Sequence, residues 1–157
     1  MTPRTIALVG APVQSGASQP GCLMGPDAFR TAGLAETLAD LGNVSIPPQN
    51  PLPHSNPALR QLAETRAWIA ALQRAAHEAA QAADIPIFMG GDHSLAAGTV
   101  PGIARRAADR GQPQFVLWLD AHPDLHTLET PASGHLHGTP VAYFIGGSGF
   151  GDAYAPL

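Results

Sequence analysis

The sequence predicts an α/β protein, a three-layer αβα sandwich around a mainly parallel sheet. Short apolar runs at residues 5–9, 85–89 and 115–119 alternate with longer amphipathic stretches. The runs have the length of strands and are bounded by turn residues. They are continuously apolar rather than alternating, which indicates strands buried on both faces, as in a parallel sheet covered by helices on each side.

The amino-terminal part of the chain predicts a strand, a loop and a helix. The run at 5–9 stops at Gly10, and residues 13–25 are rich in Gly, Ser and Gln, as a loop would be. Pro26 suits the first turn of a helix that ends at Gly42. The predicted core face of this helix contains Phe29, Leu34, Leu38 and Leu41.

A proline-rich loop and a long helix come next. Five prolines lie between residues 43 and 57, and because proline lacks an amide donor they disfavour regular structure there. Asn56 is predicted to cap a helix whose first residue is Pro57. Apolar residues at helical spacing then predict one face packed on an apolar surface. They are Leu62, Ile69, Leu72, Ala76, Ala79 and Ala83.

The later elements are two strands separated by a helix. The strand at 85–89 turns at Gly90-Gly91 into a helix that begins near Ser94 or Leu95 and continues to about Asp109. A further strand occupies 115–119. Beyond Tyr143 the chain is rich in glycine without a predicted strand or helix, so residues 1–157 are expected to form a single domain that is truncated at its carboxyl end.

The composition argues against nucleic acid and membranes as binding partners. Eight basic and 12 acidic residues give a formal charge of −4, which provides no field for binding nucleic acid or an anionic membrane. Cys22 is the only cysteine, so the chain cannot contain an internal disulfide. No apolar run approaches the ~18 residues of a membrane span. A cytoplasmic protein with a small-molecule substrate is the expectation.

Histidines and aspartates follow two of the predicted strands. His93 comes after Gly90-Gly91, while Asp120, His122 and Asp124 come directly after the strand at 115–119. The carboxyl ends of parallel strands open onto one crevice, so these side chains should meet there. If the strand continues extended, the three alternating residues share a face at roughly 7 Å spacing. Carboxylate and imidazole without thiolate favour Mn²⁺ or another first-row divalent ion.

Other interpretations of these residues are weaker. Asp92 is interpreted as a helix cap or a partner of a ligand rather than a ligand itself. Gly90-Gly91 is not followed by the lysine of a phosphate-binding loop. His135 and His137 lie on a glycine-flanked loop close behind the aspartates, where one of them can transfer a proton to a leaving amine or else face water.

Three motifs resemble signatures of the ureohydrolases in arginase-like order. They are Gly90-Gly91-Asp92-His93-Ser94, Asp120-Ala121-His122-Pro123-Asp124, and Ser133-Gly134 followed by His137-Gly138. Gly10-Ala11-Pro12, and Gly25-Pro26 at a helix start, also resemble the arginase amino-terminal region. The resemblance therefore covers about residues 5–143 and implies an arginase-like fold of which this chain is the amino-terminal part.

The resemblance implies a hydrolase with two Mn²⁺ ions that share a bridging hydroxide. His93, Asp120 and Asp124 would hold one ion, Asp120 and His122 the other, and His137 would transfer protons. Ser133, His126 and His135 would contact the substrate, although both histidines stand where arginases often have asparagine. The implied reaction cleaves the guanidinium group of arginine to urea and ornithine, and the implied assembly is a homo-oligomer.

One family motif has no counterpart in the sequence. The later Ser-x-Asp-x-Asp strand, which supplies two more metal carboxylates, is missing, and Asp152 stands in no such context. The sequence therefore leaves two alternatives open beside an arginase. One is an agmatinase-like ureohydrolase acting on a decarboxylated guanidine, and the other is a non-catalytic metal-binding fragment.

Overall fold

Three parallel strands form the sheet in the computed structural model, which describes residues 3–157. They are β1 (Ile6–Ala11), β2 (Ala39–Asn43) and β3 (Ile85–Gly90), in the order β2-β1-β3. β1 and β3 pair without a register shift from Ile6↔Ile85 to Ala11↔Gly90, whereas the β1–β2 register shifts between Leu8 and Gly10. The parallel sheet and the α/β class are confirmed.

Within the described residues, four α-helices accompany the sheet: α1 (Gly25–Thr31), α2 (Leu62–Ala82), α3 (Ala96–Asp109) and α4 (Pro140–Phe144). Short 3₁₀ turns cover Cys22–Met24, His93–Leu95 and Gly151–Ala153. α2 and α3 pack closely because α3 presents glycine to its neighbour. A Cβ at Gly98 would lie 2.7 Å from the Ile69 carbonyl oxygen, and one at Gly102 would lie 2.4 Å from that of Gln73.

Helices cover both faces of the central strand β1, whereas β2 is exposed along its length and β3 is only partly buried. Gly10 of β1 faces α1, since a Cβ there would lie 3.1 Å from the Cβ of Pro26. The next residue, Ala11, belongs to a buried cluster with Trp68 and Leu72 of α2. Successive residues of a strand point to opposite faces, so α1 and α2 lie on opposite sides of the sheet. Right-handed crossovers give the same arrangement, because the one from β1 to β2 and the one from β2 to β3 run in opposite directions across the sheet.

The main core lies between α2 and the chain after residue 124. Its buried members include Leu62, Ile69, Leu128, Leu136, Tyr143, Phe150 and Tyr154. Three hydroxyls hold this segment together: the Tyr143 hydroxyl donates to the Ala155 carbonyl at 2.5 Å, and those of Thr139 and Tyr154 share a 2.9 Å hydrogen bond. Burial raises the pKa of Tyr154. The short helix α4 within this segment was not expected from the sequence.

The predicted helix from Pro26 to Gly42 is wrong in its second half. α1 ends at Thr31, and Ala39–Asn43 form the edge strand β2. The apolar spacing led to a wrong helix prediction, because Leu34 and Leu41 are 38% and 50% exposed and do not face a core. Backbone pairing with β1 therefore outweighs the helical pattern.

The start of the long helix is also different from the prediction. Asn56 forms a local turn, with its side-chain oxygen accepting from the amide of Ala58 at 3.0 Å, and α2 begins only at Leu62. Gln61 precedes it with a positive φ of 50°. The apolar face is confirmed, since Leu62, Ile69, Leu72, Ala76 and Ala79 are buried. β3 and α3 match their predicted positions.

The predicted strand at 115–119 is absent among the described residues. This segment has no ladder partner in the sheet, and Phe115, Leu117 and Leu119 are 84%, 81% and 85% exposed. A cavity of about 280 Å³ lies between Phe88 of β3 and Phe115 and Leu117. An extended apolar segment becomes a strand only when another strand pairs with it, so the expected burial on both faces is wrong. Within residues 3–157, no helix is both long and apolar enough to span a bilayer.

A cluster of polar side chains fastens α1 to β2. Arg30 binds Asp40 through two nitrogens, with Nε to Oδ2 at 2.6 Å and Nη2 to Oδ1 at 2.9 Å. It also donates to Asn43 at 2.7 Å and to Asp27 at 3.2 Å. The hydrogen bonds from Arg30 lower the pKa of Asp40 from 3.8 to about 2.

Asp40→Asn is expected to lower the free energy of unfolding by about 1 kcal/mol near pH 7, because it removes a charge-assisted, two-point contact. A carboxyl whose pKa is lowered on folding stabilises the fold above its unfolded pKa of 3.8 and loses that effect as the pH falls through about 2. Urea unfolding at several pH values should show the difference between wild type and variant shrinking as the pH falls from 3.8 to about 2. Asp152→Asn is the control, and a pH-independent difference for Asp40→Asn would contradict the assignment.

Candidate metal centre

The Gly90-Gly91 turn places His93 at the carboxyl edge of the sheet. The amide of Gly91 donates to the Ala11 carbonyl at 3.0 Å, and that of Asp92 donates to the Val13 carbonyl at 2.8 Å. A Cβ at Gly91 would lie 1.9 Å from the Val13 oxygen. Only glycine therefore permits this approach between the turn after β3 and the loop after β1.

Asp92 caps the 3₁₀ turn that carries His93 and is only 5% exposed. Its Oδ1 accepts from the amide and the hydroxyl of Ser94 at 2.8 and 2.6 Å. Its Oδ2 accepts from the amides of Gly16 and Ala17 at 2.8 and 3.0 Å. The predicted capping role is thus observed, and the carboxylate is fully engaged in hydrogen bonds.

The structure brings His93, Asp120 and Asp124 together. One ligand atom from each lies within 4.8 Å of the others. His93 Nε2 is 2.8 Å from Asp124 Oδ2 and 3.5 Å from Asp120 Oδ2. The expected extended backbone is not what produces this grouping. The chain bends after Leu119, and Asp124 has a left-handed backbone with a φ of 48°.

The contact between His93 and Asp124 fits a shared cation better than a hydrogen bond. Among the described residues, His93 Nε2 and Asp124 Oδ2 are buried atoms that have no hydrogen-bond partner, although only 2.8 Å separates them. Adjacent donors of an octahedral site with bonds of about 2.1 Å lie about 3 Å apart. A carboxylate that is 6% exposed needs compensation for its lost hydration. A divalent cation between these atoms would supply it.

The surroundings of Asp120 favour its ionised form. The backbone amide of His122 donates to its Oδ1 at 2.8 Å, and this bond, helped by the nearby imidazoles of His93 and His122, lowers the pKa of Asp120. Its two oxygens face different histidines, with Oδ2 toward His93 and Oδ1 3.5 Å from His122 Nδ1. His122 itself is outside the three-residue group, and its side chain is 81% exposed.

A cavity of about 350 Å³ adjoins the three-residue group and is lined by three of the other predicted residues, His122, His126 and His137. Asp124, His126 and His137 are among the residues that line it. Ser133 and His135 are not, and the Ser133 hydroxyl accepts from the amide of His135 at 3.3 Å. The His135 ring centroid lies 5.8 Å from that of His137. The cavity therefore collects only part of the predicted substrate contacts.

Trp118 is a neighbour of the site that the sequence analysis missed. Its ring lies 5.0 Å from the His93 ring in an edge arrangement and 5.7 Å from Phe144. It precedes Asp120 by two residues, and that spacing was the available signal. Edge contacts of this kind hold an aromatic ring in one orientation, so Trp118 helps to fix the His93 imidazole.

Comparison with known proteins identifies the family. The sequence model of the Arginase family matches residues 4–152. This chain belongs to the arginase family. Members of this family are metal-dependent hydrolases, and His93, Asp120 and Asp124 are the described residues of this chain that can hold a divalent ion together.

Similar sequences and structures extend the match over most of the chain. An arginase of Agrobacterium fabrum is 56% identical over 98% of this chain and 49% of the relative, and one of Brucella melitensis is 54% identical over 95% and 50%. The structure of Bacillus caldovelox arginase matches with a TM-score of 0.72 at 35% identity, covering 88% of this chain and 48% of that one. Entamoeba histolytica arginase in complex with L-ornithine matches with a TM-score of 0.76 at 28% identity, covering 94% and 51%. The chain spans about half the length of the curated relatives it matches.

Gly91→Ala is expected to destabilise the fold more than Gly90→Ala. At Gly91 the new methyl meets the backbone oxygen of Val13, whereas at Gly90 it meets the end of the Leu95 side chain, which can move. Overpacking costs about 1–3 kcal/mol, and a rigid obstacle places Gly91→Ala at the upper end. Urea unfolding of both variants measures the difference. Equal losses would show that the turn is not held against Val13.

Proposed function

We propose that this chain supplies the first metal-binding part of an arginase, which hydrolyses the guanidinium group of arginine to urea and ornithine. The buried pair of His93 Nε2 and Asp124 Oδ2, 2.8 Å apart without a hydrogen bond, carries the proposal. Residues 1–157 are then the amino-terminal part of one ureohydrolase domain. The small amino-acid ligand of the Entamoeba histolytica relative supports a substrate of the same kind.

Mn²⁺ is the proposed ion, because the ligands combine imidazole and carboxylate without thiolate. When bound, such ions would lower the pKa of a coordinated water and so supply a hydroxide nucleophile near neutral pH. Asp120 is the proposed bridging residue, since its two oxygens are directed toward His93 and His122. His93, Asp120 and Asp124 would then hold the first ion, and Asp120 and His122 would hold the second.

The second ion has too few ligands in this chain. Only Glu129 and Asp152 follow Asp124 among acidic residues, and neither belongs to the three-residue group. We therefore place its further carboxylates in the half that the relatives have and this chain does not span. We therefore expect one ion per isolated chain, held mainly by the buried atoms His93 Nε2 and Asp124 Oδ2.

His137 is the proposed proton donor to the leaving amine. It lines the cavity beside Asp124, and imidazole exchanges protons near neutral pH. His126 is the better placed of the substrate-contacting candidates because it lines the same cavity. Ser133 and His135 do not line this cavity, so the substrate would have to extend beyond it to contact them.

A second candidate function is a non-catalytic metal-binding fragment that associates with a longer relative. The exposed side chains of Phe115, Leu117 and Leu119 favour it, because large apolar groups at an unpaired sheet edge invite pairing with another chain. A homo-oligomer would use the same surface. Catalytic turnover separates this candidate from the first.

Mn²⁺ is expected to quench the fluorescence of Trp118, since its ring lies beside the ring of His93. Trp68 and Trp118 are the only tryptophans, and Trp68 of α2 is buried in another cluster, with Ala11, Val13 and Leu72. Trp68→Phe should therefore keep the response to Mn²⁺, and Trp118→Phe should lose it. The reverse pattern would place the ion elsewhere.

Calorimetry should find one Mn²⁺ per chain. His93→Ala and Asp124→Asn are expected to weaken binding at least tenfold, because each removes a ligand atom. His122→Ala should change it less, given the exposure of that side chain. Two tightly bound ions per chain, or binding unaffected by Asp124→Asn, would contradict the proposed division of ligands.

Urea release tests the reaction. The chain alone is expected to give no urea above a Mn²⁺ blank, whereas a fusion to the second half of Agrobacterium fabrum arginase should release urea from arginine faster than from agmatine. In the fusion, His137→Asn should lower kcat by about 10²–10⁴-fold through loss of proton transfer. A preference for agmatine would favour the agmatinase-like alternative, and an inactive fusion beside an active parent would reject the enzyme function.

A further inference from the structure

The peptide group between Gly16 and Ala17 joins Asp92 to His137. We propose that Asp92 is a positioning residue for His137 and acts through this one peptide group. It fixes the imidazole proton on Nδ1 and leaves Nε2 as the nitrogen that exchanges protons in the cavity. The task of His137 rests on the proposed function, whereas the position of its proton does not.

Asp92 holds one side of the peptide group. Its Oδ2 accepts from the Ala17 amide at 3.0 Å and from the Gly16 amide at 2.8 Å. The bonds from Ser94 to Oδ1 prevent the carboxylate from rotating away. Because a peptide group is planar and trans, an amide directed at Asp92 sends the Gly16 carbonyl in the opposite direction.

His137 lies on that opposite side. The Gly16 carbonyl oxygen is 2.8 Å from the amide of Leu136, 3.3 Å from the amide of His137 and 3.3 Å from His137 Nδ1. Three groups thus converge on one acceptor. The two backbone bonds hold the loop, and the third holds the imidazole ring.

The chemistry of the acceptor decides where the imidazole proton is. A carbonyl oxygen only accepts, so Nδ1 must carry a hydrogen in both the neutral and the charged ring. Nε2 is then the nitrogen that gains and loses a proton. Free imidazole side chains prefer the other tautomer, with hydrogen on Nε2, so this contact changes which atom is ready to accept a proton.

The carboxylate strengthens this preference through the peptide group. An amide that donates to an anion makes its own carbonyl a better acceptor, because hydrogen bonds in a chain polarise one another. Asp92 is buried, so water screens the effect little. The arrangement resembles a carboxylate that orients a histidine directly, with one peptide group inserted between them.

Gly16 is required for this contact. A Cβ at Gly16 would lie 2.5 Å from the Cβ and Oγ of Ser94 and 2.8 Å from Asp92 Oδ1. Any other residue would push the peptide group away from Asp92. Gly16, in the loop after β1, is thus as necessary for this contact as Asp92, which follows β3.

Nitrogen-15 spectra of the imidazoles in the metal-free chain test the proposal at about pH 8.5, where an ordinary imidazole is neutral. His137, assigned by its loss in His137→Gln, should show a protonated Nδ1 and an unprotonated Nε2. His54 is an internal reference for the opposite tautomer, since its Nδ1 accepts from the Asn56 amide at 3.0 Å. A wild-type His137 with its proton on Nε2 would overturn the proposal without any variant.

Two variants test the part played by Asp92. Four donors converge on its carboxylate and an amide has one acceptor oxygen, so Asp92→Asn should let both tautomers populate and move the two His137 shifts toward each other. Ala17→Pro replaces the amide hydrogen that donates to Asp92 with a ring carbon, which separates the peptide group from the carboxylate, and should act in the same direction. Ser94→Ala removes the hydroxyl bond to Oδ1 but keeps the amide bond that holds the carboxylate, so it is the matched control and should leave the His137 shifts in place.

The outcomes distinguish this inference from the proposed function. Unchanged His137 shifts in folded Asp92→Asn or Ala17→Pro would overturn the role of Asp92, even if the fusion releases urea. An inactive fusion with the Nδ1–H tautomer intact would reject the hydrolase and leave the positioning of His137 in place.

Discussion

The site depends on the contact between the loop after β1 and the turn after β3. β1 and β3 pair in register, so both strands end at the same level. Gly91 then lets the backbone of the turn lie against the Val13 carbonyl, where a side chain would not fit. This contact brings Asp92 to Gly16 and sets His93 at the sheet edge. The histidine loop, fixed to Gly16, is placed by the same contact.

Local patterns in the sequence were sufficient for the parts of the fold that are locally determined. β1, β3 and α3 lie where the apolar runs and glycine turns predicted them, and the buried face of α2 was identified correctly. His93, Asp120 and Asp124 converge as predicted, but the rule behind that prediction, that parallel strands end at a common edge, assumed a strand at 115–119 that the described residues do not form. The family match to residues 4–152 agrees with the motifs from which the resemblance was drawn.

The remaining parts depend on long-range partners or on single backbone angles. β2 is a strand because β1 lies beside it, and residues 115–119 lack a strand because nothing described pairs with them. Neither outcome is encoded in the local apolar spacing. The left-handed backbone of Asp124 was equally hidden, and it replaces the extended geometry that the alternating aspartates suggested. The link from Asp92 to His137 joins residues 45 apart through a third loop, which no spacing rule describes.

The backbone of Asp124 also restricts how the ion preference of this protein could be re-engineered. Few residues besides Gly, Asn and Asp adopt a φ of 48° without strain, and others lose roughly 1–2 kcal/mol. Of these three, only Asp offers a charged oxygen to a cation. Exchanging this proposed donor for the longer side chain of Glu would strain the backbone at this position. Selection for a different metal would therefore find His93 and Asp120 easier to alter.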